Sequence, residues 1–173
     1  MNVFYKEYLT KIVNYDLLNK FNFKMSSELP VLEHVVLKFD FKTYDYNSLL
    51  KCLTVLKLLT GNNCSILKSK NSSTFLKLKK GVPIGCKVNL KKNKALNFLL
   101  FLINNKKLTH NNYKVTSNSK SHSVTIVIAN ILSLDKLQEN YHFFKNITNL
   151  NLKFVITTKD YSKLKYLLNC YKF

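Results

Sequence analysis

The side chains here with chemistry to offer are lysines, and the densest group lies in residues 60–92. Lys68, Lys70, Lys77, Lys79, Lys80 and Lys87 can neutralise phosphates from one loop and one strand face. Six such contacts would give a slope of log affinity against log salt of roughly −4 to −5. All 28 basic residues are lysine, and arginine is absent. Lysine meets phosphate as a point charge and lacks the planar fork that reads guanine bidentately, so recognition by backbone charge and shape is expected over base identity.

Other chemistries lack their residues. The nine acids form no pair by spacing on one element. Ser72, Ser73, Ser121 and Ser123 have no nucleophile-elbow context. Gly81-Val82-Pro83-Ile84-Gly85 lacks the glycine-lysine-serine/threonine ending of a phosphate-cradling loop, and Pro83 removes an amide such a cradle would use. Cys52, Cys64, Cys86 and Cys170 form no C-x-x-C pair, and His34, His110, His122 and His142 are scattered. The cysteines read as reduced, mostly buried thiols. An enzyme, a metal site and a cofactor are therefore not expected.

Two strands must position the lysines. Ile84, Cys86, Val88 and Leu90 alternate with Gly85, Lys87, Asn89 and Lys91, which is a strand with one apolar and one polar face. A second alternation around Ile66 leads into Lys68, Ser69 and Lys70. Between them, Asn71-Ser72-Ser73 is a turn-forming run, followed by Leu76 and Leu78 against Lys77 and Lys79. The expectation is two strands joined by a long basic loop. All three glycines, Gly61, Gly81 and Gly85, fall in this stretch.

Residues 3–21 space Val3, Phe4, Tyr8, Ile12, Tyr15 and Leu17 or Leu18 as an amphipathic helix. Residues 31–41 are β-branched and aromatic, a strand. A helix over 45–60 is capped by Thr43 or Asp45 and closed by Gly61, with Leu49, Cys52, Leu53, Leu56 and Leu59 inward. Asn93 caps a helix over 94–105 with Leu96, Leu99, Leu100 and Ile103 inward, and the basic span 104–122 reads as a loop. A strand over 124–129, a weak helix over 134–146, a strand over 150–158 and an Asp160-capped helix over 161–170 complete the order. This is one α+β domain, with an antiparallel or mixed sheet of about five strands and helices mainly on one face.

The net charge is +19, with nine acids against 28 bases. That excess points to a polyanion, either nucleic acid or an anionic membrane surface. The abundance of lysine and asparagine also fits an AT-rich genome, which explains lysine in place of arginine but not the shortage of acids. No apolar run reaches the ~20 residues of a bilayer span, and no signal or transit peptide is expected from the N-terminal residues.

The run from Leu59-Thr60-Gly61-Asn62 through Lys68-Ser69-Lys70 to Lys79-Lys80-Gly81-Val82-Pro83-Ile84-Gly85-Cys86-Lys87-Val88 resembles the large-subunit ribosomal protein five family. So do Leu29-Pro30-Val31-Leu32-Glu33, the helix bearing Phe98-Leu99-Leu100-Phe101-Leu102-Ile103, and Leu152 to Thr158 with Leu167-Leu168 and Phe173. The resemblance covers about two thirds of the chain. It implies a sheet carrying 5S or large-subunit rRNA in the central protuberance, with Lys38, Asn62, Lys68, Lys70, Lys87, Asn89 and Lys91 as rRNA-binding residues. It further implies a loop approaching P-site tRNA, formed here by Ser72, Ser73, Lys77, Lys79, Lys80 and Gly81, and neighbours that include a small-subunit head protein. Lys38, Asn62 and Asn89 stand where the family has asparagine, glutamine and threonine. The family's segment after the third helix has no counterpart in 104–122. The composition suggests a mitochondrial ribosome, with a plastid-type organelle or a bacterium as alternatives. The competing reading is a non-ribosomal RNA-binding accessory factor or a peripheral membrane protein.

Overall fold

A computed structural model describes residues 7–23, 25, 28–41, 45–75, 78–105, 113–117, 122–145, 147, 149–158 and 160–171. Among the described residues, six strands form one antiparallel sheet in the order β2-β3-β1-β6-β5-β4. They are β1 (Val31–Asp40), β2 (Ser65–Lys68), β3 (Pro83–Lys91), β4 (Tyr113–Ser117), β5 (His122–Ile128) and β6 (Leu150–Thr157). The helices are α1 (Asn14–Lys20), α2 (Tyr46–Thr60), α3 (Lys92–Asn104), α4 (Asp135–Gln138), α5 (Tyr141–Phe144) and α6 (Tyr161–Cys170). The class is α+β, with six strands where about five were expected.

Contacts group the chain into two compact units. One comprises Met1–Val35, Leu90–Ile126 and Lys153–Phe173; the other comprises Val36–Asn89 and Val127–Leu152.

The second unit holds the lysine-rich stretch. Helix α2 starts where the Asp45 carboxylate accepts the backbone N–H groups of Asn47 and Ser48, each at 3.2 Å, so two amides without helical partners are satisfied. It ends at Gly61, whose φ of 66° is left-handed and whose N–H donates to the Lys57 carbonyl at 2.8 Å. Leu49, Cys52, Val55, Leu56 and Leu59 are buried, and Leu53 is only half-buried. The helix packs on α4 and α5. Leu37 and Phe39 of β1 and Cys86 and Val88 of β3 are buried too. Each fully buried large apolar side chain contributes roughly 1.5–3 kcal/mol. The expected helix over 134–146 is broken into the short α4 and α5, which follow the 3-10 turn Ile131–Ser133 and bury Leu137 and Phe144 but leave Tyr141 exposed.

In the first unit, the helix expected over 3–21 opens, among the described residues, with a π-helical segment, Tyr8–Val13, followed by α1. A π turn is wider than an α turn. Residues four apart, Leu9, Val13 and Leu17, therefore share the buried face. Ile12 and Tyr15, expected inward, are exposed, and of the alternatives Leu17 and Leu18 it is Leu17 that is buried. Helix α3 begins at Lys92, whose φ is +50°, with no side-chain cap, so Asn93 is not its cap. Ala95, Phe98, Leu99 and Leu102 are buried, whereas Leu96, Leu100 and Ile103 are half-buried. Asp160 stands at the N-cap of α6 as expected, but its carboxylate makes no capping hydrogen bond there and pairs with Lys163 Nζ at 2.6 Å. The span read as a loop over 104–122 contains β4, which pairs antiparallel with β5 from Tyr113↔Ile126 to Ser117↔His122. Thr43, Lys77, His110, Phe173 and the polar residues of 106–112 and 118–121 lie outside the described residues.

Candidate nucleic-acid interface

Strict alternation gives the strands of the second unit a buried and a less buried face. On β1, Leu37 and Phe39 are buried while Lys38 is half-buried and Asp40 exposed. On β3, Cys86 and Val88 are buried while Lys87 is half-buried and Asn89 exposed. Lys38, Lys87 and Asn89 thus occupy the polar face the sequence assigns them. An acid shares that face. Lys38 Nζ lies 2.7 Å from Asp40 Oδ1, and Asn151 Nδ2 donates to Asp40 Oδ2 at 3.2 Å.

Gly85 is required by close approach. A Cβ built there would stand 2.3 Å from the Phe39 carbonyl oxygen. Phe41 N–H donates to the Ile84 carbonyl at 2.8 Å next to it. This fixes how Lys38 and Lys87 are presented on neighbouring strands.

Beyond β2 and β3 the chain continues as a closed arm, not an open loop. A bulge between Leu67 and Lys68 shifts the β2–β3 register. Ser69 N–H then donates to the Val82 carbonyl at 2.8 Å, and Gly81 N–H to the Ser69 carbonyl at 3.0 Å. Gly81 takes φ +89°, left-handed backbone that glycine adopts without penalty. Further out, Ser73 and Leu78 exchange both backbone hydrogen bonds, at 2.9 and 3.0 Å. Thr74 and Phe75 form a turn directly beyond Ser73. Lys68, Lys70, Lys79 and Lys80 are exposed along the arm, as is Ser72, and Ser73 is half-buried with its backbone paired.

Asn62 is half-buried just after α2, where its N–H donates to Thr60 Oγ1 at 3.2 Å. Lys91 is exposed but belongs to the first unit, so it is not grouped with the others. Two features escaped the sequence reading. Asp40 was legible in principle, since it alternates in step with Lys38. Phe75, at the tip, is 93% exposed, and an aromatic among turn residues and lysines was the only signal for it.

Burial pushes the thiols of Cys52 and Cys86 up to about 12, and burial raises Cys64 against the opposing pull of Lys57. All four cysteines are free. Among the described residues no three His, Cys, Asp or Glu converge as a metal site, and no helix is long and apolar enough to cross a membrane.

No family model matches the chain. Curated relatives do. Over 169 residues it is 27% identical to "Large ribosomal subunit protein uL5m" of Reclinomonas americana, covering 95% of this chain and 93% of that one. Over 171 residues it is 27% identical to "Large ribosomal subunit protein uL5" of Karelsulcia muelleri (strain GWSS), covering 93% and 88%. Over 101 residues it is 37% identical to the uL5 protein of Desulforapulum autotrophicum, covering 57% and 56%. Two of these likenesses run nearly end to end, and the three proteins are named uL5m or uL5. The chain is thus similar, nearly end to end, to uL5 proteins of the large ribosomal subunit.

Proposed function

We propose that this protein binds rRNA through the lysine-bearing face of β1 and β3 and reaches toward tRNA with the arm over 69–82. It is a structural constituent of the large ribosomal subunit, not an enzyme, and its place is the mitochondrial ribosome. The finer reading has Lys38, Asn62, Lys68, Lys70, Lys87, Asn89 and Lys91 contacting 5S or large-subunit rRNA in the central protuberance. Ser72, Ser73, Lys77, Lys79, Lys80 and Gly81 form the part that approaches P-site tRNA, and neighbouring ribosomal proteins, including one of the small-subunit head, complete the surroundings. The molecule is read as one ribosomal-protein domain with an N-terminal helical extension.

The observation that carries this is the arm. Its backbone pairing at Ser69, Ser73, Leu78 and Gly81 holds Lys70, Lys79 and Lys80 outward, beyond the sheet and free of the core. Side chains placed so can be removed without loss of packing. Replacing Lys77, Lys79 and Lys80 together by alanine should leave the circular dichroism and melting midpoint unchanged. RNA binding should weaken, and the slope of log affinity against log salt should shrink by about two to three. Loss of folding would make these lysines structural, and failure of the parent chain to cosediment with large subunits at moderate salt would defeat the ribosomal placement of the arm.

A further inference from the structure

Phe75 is 93% exposed, whereas the next most exposed phenylalanine described, Phe143, is 69% exposed. A bare aromatic ring forgoes the burial that normally stabilises it. Here it stands at the end of the arm, in a tip closed by the reciprocal Ser73–Leu78 pair and braced behind by the Ser69–Val82 and Gly81–Ser69 hydrogen bonds. Lys70, Lys79 and Lys80 are exposed along the same arm. The ring is thus held out by paired backbone among cations.

We propose that Phe75 is a stacking platform for a nucleobase, with the arm's lysines neutralising the phosphates on either side. This rests on the reading that the arm meets RNA, and adds how. An aromatic face stacks on any base, since every base has a π face, while lysine supplies charge without sequence preference. The chain has neither tryptophan nor arginine, so no indole or guanidinium plane shares the task. Phenylalanine has no polar group to satisfy, so it suits an unpaired or helix-terminal base rather than a hydrogen-bonded base edge.

The absence of tryptophan supplies the test. In the full chain, Phe75→Trp installs a single indole at the tip. A non-self-complementary twelve-nucleotide single-stranded RNA should quench its emission, and inorganic polyphosphate at saturating concentration should not. Phe75→Ala should weaken binding of the RNA about five- to hundred-fold while leaving the salt slope and the melting midpoint unchanged, and Phe75→Tyr should restore most of the affinity. The proposal is overturned if Phe75→Ala binds the RNA as tightly as the parent, or if polyphosphate quenches the indole as strongly as RNA does. Both results leave the lysine-based reading of the arm intact. A parent chain that binds no RNA at all overturns that underlying reading as well.

Discussion

Lys38 and Asp40 stand two residues apart on the less buried face of β1, and Lys38 Nζ lies 2.7 Å from Asp40 Oδ1. The pair is about half exposed, 43% and 45% by side chain, so its contribution to stability is small. On the proposed reading of Lys38 as a phosphate contact, the pair matters more for binding, because the carboxylate occupies the ammonium that a phosphate would take. Asn151 holds the carboxylate from the other side. Asp40→Asn keeps a side chain that can accept from Asn151 and removes the competing charge. RNA affinity should rise about two- to five-fold at low salt, and the salt slope should steepen by up to about one. Titrations at several salt concentrations would read both, and equal affinities for the two proteins would rule out Lys38 as a phosphate contact.

Gly85 makes a separate expectation about the framework. Its missing side chain lets the Phe39 carbonyl approach to within 2.3 Å of where a Cβ would sit, and the obstacle is backbone, which cannot swing aside. Gly85→Ala should therefore push β3 from β1 and cost about 1–3 kcal/mol in denaturant unfolding. By contrast, a Cβ at Gly61 meets nothing within 4 Å, and only its φ of +66° resists substitution, so Gly61→Asn should be nearly neutral. Equal losses at the two positions would mean that the close approach at Gly85 relaxes freely.

Asp45 ties the start of α2 to pH. The Ser48 hydroxyl, hydrogen-bonded to the carboxylate, is the main cause holding the acid below its ordinary value of 3.8; burial opposes it, and the backbone N–H groups of Ser48 and Asn47 and the charge of Lys51 lower it further. A folded-state value below the unfolded one stabilises the fold above about 3.8, and that stabilisation is lost as pH falls through the folded value. Asp45→Ala should thus melt earlier than the parent at neutral pH, with the gap closing only in acid below 3.8. A gap that persisted unchanged into strong acid would mean that helix capping here does not depend on the carboxylate charge.

Much of the scaffold was legible because local signals agree with long-range ones. Asp45 and Gly61 bracket α2 where capping chemistry puts them, and the alternation of Ile84 to Leu90 assigns Cys86 and Val88 inward and Lys87 and Asn89 outward, as observed. The misreadings have separate causes. Phe98 takes the buried place expected of Leu100 because a helix that is apolar nearly all round does not reveal its phase, and α3 starts two residues earlier than expected, without a cap. The N-terminal face turned because a π segment changes the residue spacing. Strand β4 has a polar composition and exists through backbone pairing with β5, a partner that composition does not announce. In the candidate site, residue type identified the lysines. Their grouping, the Asp40–Asn151 contact across 111 positions, and the position of Phe75 at a paired tip required the fold.

The sheet order also bears on how the protein is made. Strand β1 lies between β3 and β6, and its hydrogen bonds reach far along the chain: Thr157 Oγ1 donates to the Val31 carbonyl at 3.2 Å, across 126 positions. During synthesis, β1 can pair with β3 early, but its second edge stays open until residues 150–157 have emerged. Such late closure slows folding and leaves a strand edge free for other chains. For that interval the charge that suits the chain to a polyanion also repels other copies: 28 lysines against nine acids oppose self-association while the edge is open.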